Sequence, residues 1–443
     1  MSQLSFRDPD GFVFSYGGRI LRCVHPNAIQ DLGAFLSSTI ARKWTAEGTL
    51  PSTEVLTEAQ RADLPSEILS KVPDGAMVLE HQPIRFSSYP YEWPPIVLLA
   101  SAALTLSLAQ ASATAAFGLK DATPYNIMFE GPKPVFIDLL SFERRDSLDP
   151  VWRPYAQFVR AFLYPLFVSS YFGIRLEEIL LPHRDGLEPE RMLRICPLWR
   201  LLLPPFLGTV TIPAILSRGE NARASDRFRA RKSRNSQETK FLLDQLFGRA
   251  GRLLAKALDR APKKHSSYYA DSGNSYTARE LAEKERIVTE AVERWPVKKV
   301  LDIGCNIGRF SVLAARCGAS VTAIDHDPDV VGMLWKTARQ DNLDILSLVI
   351  DIARPPGACG WENAEFPSFL YRARGKFDCV LMLALIHHLM VNERVPLERI
   401  FKLVRELTTN IAIVEYVDRD DSQFQRIARG RDALHDQVHE RFL

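Results

Sequence analysis

Three aspartates follow one another at the ends of apolar, β-rich runs in the last third of the chain. The first run, Val297–Ile303 (VKKVLDI), contains Asp302 and opens directly into Gly304-Cys305-Asn306-Ile307-Gly308-Arg309-Phe310. The SVLAARCG that follows reads as a helix. Glycines between a strand and a helix let the backbone approach a bound group closely, and the free amides of the helix N-terminus face that group. The second run, Ser320–Ile324, ends in Asp325, 23 residues after Asp302. A carboxylate at that place can accept both hydroxyl protons of a ribose diol. The third, Ile345–Ile350, leads into Asp351 and Ile352. There a carboxylate suits the amino group of adenine, and Ile352 suits the face of its ring. An aspartate at a strand end is often just a cap. Three of them in register with one glycine turn predict a nucleoside ligand.

A fourth run begins at Phe377-Asp378 and continues through CVLMLALIHHL, which puts His387 and His388 at its end. An imidazole there can act as general base toward a hydroxyl or amine nucleophile. Capping a helix or filling a core is the other use of a histidine in such a place. Adjacent side chains diverge, so one of the pair points away from any ligand. Cys305, inside the turn, reads as a packing residue. No metal site is expected, because neighbouring histidines rarely share an ion and no matched third ligand is visible. A fifth run, Ile411–Val417, contains Glu415.

The set VLDIGCNIGRF, VTAIDHDP, LVIDIARP and FDCVLMLALIHHL resembles the class I S-adenosylmethionine-dependent methyltransferases over about residues 265–430. The resemblance implies S-adenosyl-L-methionine as cofactor. It places the methionine end on Asp302, Gly304 and Gly308, with Asn306 where a middle glycine is common. It places the ribose on Asp325 and the adenine on Asp351 and Ile352. A nicotinamide dehydrogenase has G-x-G-x-x-G, whereas this turn is G-x-x-x-G with an acid two residues before it, and that spacing favours the methyl donor. The segments FRDPDGFVF, FSSYPYEWPP, GLKDATPYNIMF, VFIDLLSFE, GWENAE and LALIHHL make the whole chain similar to a narrower group, the long bacterial methyltransferases typified by the host-specific nodulation protein NoeA. By analogy, that group implies O-methylation of a carbohydrate or natural product.

The elements that must position these residues alternate helix and strand from about residue 277, which predicts an α/β domain with a doubly wound parallel sheet. Residues 418–443 read as charged and helical, and no sequence is found for the antiparallel strand pair that normally closes the fold. The N-terminal half reads as a separate α+β domain. Its elements are a hairpin over residues 11–24 turning at Gly17-Gly18, an apolar helix near 96–117, short strands at Asn126–Phe129 and Pro134–Leu139, and a helical stretch over 151–181. Asp121, Asn126 and Asp138 resemble the catalytic loop and metal-binding segment of kinase-like phosphotransferases. The resemblance implies that Asp121 orients an acceptor hydroxyl while Asn126 and Asp138 hold magnesium. Leu119-Lys120 and Leu139-Leu140 depart from the usual neighbours, and Arg22 is the nearest substitute for the nucleotide-binding lysine. A binding or scaffold role is therefore expected for this half. Ordering a turn is the other reading of Asp121 and Asn126.

The chain has 443 residues, 46% hydrophobic and 25% charged, which excludes a disordered or fibrous protein. At about 100–200 residues per domain, two or three domains fit. The net charge is +3, yet residues 218–264 carry 14 Lys/Arg against 5 Asp/Glu. That block divides the chain into an N-terminal domain over 1–217, a basic linker and amphipathic helix over 218–264, and a methyltransferase domain over 265–443. Its charge suits an acidic surface, but without interleaved aromatics it makes no firm nucleic-acid signal. The six cysteines form no C-x-x-C pair. MSQLSFRDPDGFVF does not read as a signal peptide, so a cytoplasmic location is expected. Ile96–Phe117 is uncharged and long enough to cross a bilayer, but its serines, threonines and alanines predict a buried core helix instead of a membrane span. Tyr268, Tyr269 and Tyr276 precede the first helix of the methyltransferase domain, as an aromatic lid or as linker packing. The small-molecule acceptor and the oligomeric state have no signature. Two other functions remain open at this point: a bifunctional phosphotransferase–methyltransferase, and a non-catalytic binding protein that keeps a cofactor fold.

Overall fold

The structure, a computed structural model, describes residues 2–218, 232–258, 277–417 and 424–425. Tyr268, Tyr269, Tyr276, most of the basic block before residue 232 and most of the charged tail lie outside the described residues. The chain forms two compact units. The first comprises residues 1–85, 98–128 and 134–261, and the second 86–97, 129–133 and 262–443.

The first unit is α+β. Strands β1 (Ser2–Gln3), β2 (Gly11–Tyr16), β3 (Arg19–Val24), β4 (Thr53–Val55) and β5 (Met77–His81) form an antiparallel sheet in the order β1-β2-β3-β5-β4. Gly17 and Gly18 turn the β2–β3 hairpin at φ 58° and 80°, as their sequence predicts. The apolar helix runs Pro95–Thr114 and is the one described helix long and apolar enough to cross a membrane. Leu98, Ala102, Thr105 and Leu108 are buried, while Ser107 and Gln110 face solvent, so it behaves as a core helix along one side. It ends three residues earlier than its apolar run, because Ala116 takes a left-handed φ of 60° and Phe117 starts a strand. Short strands follow at β6 (Phe117–Leu119), β7 (Ile127–Glu130), β8 (Lys133–Phe136) and β9 (Phe142–Arg144). Aromatic packing supplies much of this core, with the Phe35 and Phe142 rings stacked at 3.9 Å.

The second unit is a parallel sheet of β10 (Lys299–Ile303), β11 (Ser320–Asp325), β12 (Ile345–Val349), β13 (Phe377–Met382) and β14 (Thr408–Val414). Its order is β12-β11-β10-β13-β14, and every described pairing is parallel. The strands read as continuous apolar runs because helices bury both faces: Val300, Val321, Ala323, Ile345, Cys379 and Leu381 belong to one buried cluster. The order reverses direction between β10 and β13. A crevice at the carboxyl ends of those two strands is where an open α/β sheet takes its ligand.

Two N-terminal segments belong to this second unit, which the sequence-based boundary near 265 does not anticipate. Residues 86–97 carry Glu92, fully buried and ion-paired with Arg372. The Arg372 guanidinium also stacks over the rings of Tyr89, Phe86 and Phe369 at 4.7–5.7 Å. Pro94 and Ile96 pack on Gly332 of the helix Pro328–Gln340. In the other segment, Gly131 comes so close to the start of β12 that a Cβ there would lie 2.9 Å from Asp344 Oδ1. Such contacts join residues hundreds of positions apart and leave no periodic trace in the sequence.

Candidate functional site

The chain leaves β10 through a turn that depends on its glycines. Gly304 has a φ of 77°, and its amide and that of Cys305 donate to the Ile324 carbonyl at 2.9 and 3.0 Å. Asn306 has a φ of 49°, and its amide donates to Asp325 Oδ2 at 2.9 Å. Gly308 has a φ of 83° and begins the helix Arg309–Arg316; a Cβ there would stand 2.1 Å from Leu334 Cδ1. A Cβ at that position requires the buried Leu334 side chain to shift while the backbone keeps a left-handed φ. Asn306 Oδ1 is buried and has no hydrogen-bond partner among the described residues.

Asp302 lies beneath this turn and is only 3% exposed. Its carboxylate accepts the Ser311 hydroxyl at 2.5 Å and the Ser311 amide in the first turn of the following helix. Burial pushes its pKa up to about 6; the Ser311 bonds oppose that shift and the nearby Asp325 charge adds to it. The strand end is thus tied to the helix start by a side-chain cap, the other use the sequence allows for an aspartate at a strand end.

Asp325 stands at the end of β11 against the turn. Besides the Asn306 amide, it accepts the Asp327 amide on Oδ1 at 3.0 Å, and His326 Nδ1 lies 3.1 Å from the same oxygen. That hydrogen bond to Asp325 is the main reason the His326 pKa is raised. The Ile350 amide donates to the Asp325 carbonyl at 2.8 Å, which brings the end of β12 alongside. One residue further, Asp351 accepts the Ala353 amide at 3.0 Å and faces Arg354 Nε at 3.2 Å. Arg354 also grips Glu393 in a fork at 2.8 and 3.1 Å. Ile352 is half-buried. The structure therefore brings Asp302, Gly304, Asn306, Gly308, Asp325, Asp351 and Ile352 to one end of the sheet.

The histidines differ from expectation. The fourth strand stops at Met382 instead of running to His388, because Ala384 adopts a left-handed φ of 51° and turns the chain out of the sheet. Leu385 then lies over the glycine turn, 3.3 Å from where a Gly304 Cβ would be. His387 and His388 fall in the helix Ile386–Val391. His387 is buried and His388 exposed, with ring centroids 4.3 Å apart. His388 Nδ1 lies 3.3 Å from Asn392 Nδ2. Glu415 follows β14 and does not belong to it; its carboxylate pairs with Lys284 of the helix Ala278–Arg294. Burial pushes the Cys305 thiol well up, which suits packing and not nucleophilic attack.

In the N-terminal unit Asp138 and Asn126 also come together, but they close on Ser141 and Arg22. Asp138 Oδ1 pairs with the Arg22 guanidinium at 2.9 Å, and Oδ2 accepts the Ser141 hydroxyl at 2.9 Å. Asn126 Nδ2 donates to Ser141 Oγ at 3.2 Å. Arg22 further donates to the Ile137 carbonyl and to His81, whose pKa falls to about 3 through burial and then the Arg22 charge. Lys120 pairs with Asp10. Asp121 is pushed up by burial, with the Asp138 and Asp8 charges adding to the shift. Among the described residues, no group of three or more His, Cys, Asp or Glu side chains is arranged to hold a metal ion.

Residues 243–441 match the family model of a methyltransferase domain. The C-terminal part of this chain is a methyltransferase domain. The chain is also similar to nodulation protein NoeA of Rhizobium meliloti (strain 1021), with 29% identity over 97% of this chain and 87% of that protein. Among solved structures, the bifunctional kinase-methyltransferase WbdD is 18% identical over 37% of this chain and 34% of its own, with a TM-score of 0.26. A SAM-dependent methyltransferase from Agrobacterium tumefaciens is 18% identical over 34% of this chain and 50% of its own, with a TM-score of 0.23. The chain thus spans half or less of the length of these two solved chains. The methyltransferase match and the parallel sheet agree with the fold expected from the glycine turn and its three aspartates.

Proposed function

We propose that the methyltransferase domain uses S-adenosylmethionine and methylates a hydroxyl of a carbohydrate or natural product. The observation that carries the cofactor is Asn306 Oδ1, a buried acceptor without a partner among the described residues, inside the turn between Gly304 and Gly308. An unsatisfied buried acceptor costs about 1–3 kcal/mol, and an ammonium group of the methionine end would remove that cost. S-Adenosylmethionine supplies an electrophilic methyl group on a sulfonium.

The chain's own residues then bind, orient and take up a proton. Asp325 keeps lone pairs beyond the Asn306 and Asp327 amides, enough to accept a ribose diol. Asp351 receives the adenine amino group, and Ile352 packs on the ring. Asp302 is a positioning residue: through Ser311 it holds the helix whose first amides face the ligand. Leu385 closes the crevice over Gly304 and keeps water out. His387 is the base, because it is the buried member of the pair; its imidazole takes the proton from the acceptor oxygen as the methyl arrives. Most of the acceleration is positioning of the two reactants in line. The carbohydrate or natural-product acceptor rests on the likeness to a nodulation protein along nearly the full chain.

Calorimetry of S-adenosylmethionine with the full chain and with Asp325→Ala tests the reading. Micromolar binding in the wild type, weakened at least about 100-fold in the variant, is expected for a lost charge-assisted diol contact. Absence of binding to folded wild-type protein would overturn the cofactor assignment. With an acceptor in hand, His387→Asn should lower kcat by about 10²–10⁴ at unchanged cofactor affinity, and His388→Asn far less. Equal effects of the two substitutions would remove His387 from its role.

A further inference from the structure

Residues 191–218 of the first unit carry a surface that neither methyl transfer nor the core explains. Leu198, Trp199, Leu202, Leu203, Ile212 and Ile215 are all exposed, Leu198 at 81% and Leu202 at 69%. They fall in two segments, residues 198–203 and 212–215. Leu198 and Trp199 lie on the short helix Leu198–Leu201, Leu202 and Leu203 follow directly at its end, and Ile212 and Ile215 are three apart on the helix Ile212–Arg218. The Thr211 hydroxyl donates to the Leu201 carbonyl at 2.7 Å, which holds the two segments side by side. Beneath them Leu201, Phe206, Val210 and Ala214 are buried, so the helices already have a core face and the exposed side chains are a second, outward one. Scattered exposed leucines are ordinary, but a contiguous group of this size marks a contact surface.

Its charge says what it contacts. From Arg191 to Arg218 the sequence holds four arginines and no acidic residue. Arg191 and Arg194, together with Glu190, are exposed on the helix Pro189–Ile195 that precedes these segments in the chain. Arg200 lies over the Trp199 and Tyr171 rings, 4.8 Å from each centroid, which presents an aromatic–guanidinium pair at that surface. The chain beyond Arg218 continues with the strongly basic composition of residues 218–264. A second copy of the chain would set arginines against arginines across a two-fold interface, which charge disfavours. A nucleic acid would find cations but would leave the leucines and isoleucines without a partner. An interface of acyl chains and anionic headgroups satisfies both: apolar side chains and a tryptophan enter the boundary region, and arginines stay with the phosphates.

We infer that this face docks the protein onto an anionic lipid bilayer as a peripheral contact. Nothing needs to span the membrane.

Co-sedimentation of the full chain with vesicles tests it. Two compositions are used: phosphatidylcholine alone, and phosphatidylcholine with about 30% phosphatidylglycerol to supply the surface potential that attracts basic segments. The wild type should bind the anionic vesicles, and much less the neutral ones. The double variant Trp199→Glu, Leu202→Glu should bind anionic vesicles at least about tenfold more weakly, because carboxylates cannot enter the headgroup boundary. Both side chains are exposed, so thermal unfolding and S-adenosylmethionine binding should match the wild type and show that the variant is folded. Arg191→Glu, Arg194→Glu should weaken binding to anionic vesicles while leaving neutral-vesicle binding as it was. Failure of the wild type to bind anionic vesicles would overturn the proposal. So would a folded Trp199→Glu, Leu202→Glu variant that binds like the wild type, since the attachment would then reside elsewhere. A wild-type dimer that this variant splits, without any vesicle binding, would assign the face to a second copy and overturn it as well.

Discussion

Both units gather aspartates around a turn, but they hold them differently. In the first unit Asp138 faces a guanidinium and a hydroxyl, and Asp10 faces an ammonium. In the second, Asp302 and Asp325 are held mainly by backbone amides and a hydroxyl. A fixed cation beside a carboxylate competes with any cationic or hydroxyl-bearing ligand. Amides fix the carboxylate's position and leave acceptor capacity on its oxygens. The amide-held carboxylates therefore suit the ligand we propose better, and the cation-paired Asp138 ties strand β3 to the segment after β8.

The largest expected effect concerns the turn itself. Gly308→Ala forces a Cβ to within 2.1 Å of Leu334 at a φ of 83°. It should cost about 3 kcal/mol or more in denaturant unfolding and abolish methyl-donor binding. Gly17→Ala, in the β2–β3 turn, meets no atom within 4 Å and should cost about 1 kcal/mol from its left-handed backbone alone. Similar losses at both positions would show that the crevice is not built to a tighter tolerance than an ordinary hairpin.

Asp302 gives the next effect and its sign. Its pKa in the folded protein, about 6, lies above the ordinary 3.8. Stability from the neutral acid is complete below about pH 3.8 and is lost as the pH rises through about 6, a span of about 3 kcal/mol. Asp302→Asn does not ionise and keeps an oxygen for Ser311, so it should flatten that part of the stability–pH curve. An unchanged curve would mean that Asp302 is not held neutral by burial.

Arg22→Ala tests the other half of the comparison. It leaves Asp138, which is partly exposed, without its cation, and should cost about 2 kcal/mol, less than for a fully buried pair. S-Adenosylmethionine affinity should not change, because Arg22 touches no residue of the turn. A large loss of affinity would make the Arg22–Asp138 pair part of the methyl-donor site.

How legible all this is in the sequence follows the same division. The strand ends and glycine turn are local signals: apolar runs of five or six residues, a glycine pair and an acid at each tip survive in one dimension. The histidine helix does not, since one left-handed residue, Ala384, decides where the strand stops, and alanine carries no turn signal. Asp121, Asn126 and Asp138 can be picked out by spacing, and Arg22 by its place in the early hairpin. The neutralisation of Asp138 by Arg22 depends on a contact across 116 residues. The recruitment of residues 86–97 into the methyltransferase unit is of the same kind: Glu92 finds Arg372 280 positions away. Local periodicity encodes elements, whereas partner choice between distant charges is a tertiary outcome.

The smallest effect probes a cation that reaches the amide-held Asp325. His326 Nδ1 is 3.1 Å from Asp325 Oδ1, and this bond raises its pKa. The imidazolium contact with Asp325 is present below the ordinary value of 6.5 and is lost as the pH rises through the raised folded value. While charged, His326 draws on the oxygen that a ribose diol would use. S-Adenosylmethionine affinity should therefore rise by a few-fold as the pH passes that value, a modest change because the imidazole is largely exposed and screened. His326→Ala should show the higher affinity throughout and lose the pH step. If the step persists in that variant, another group titrates at the site. If the variant binds more weakly, His326 helps hold the diol, and the contrast between cation-paired and amide-held carboxylates would have to be redrawn with Asp325 on the paired side.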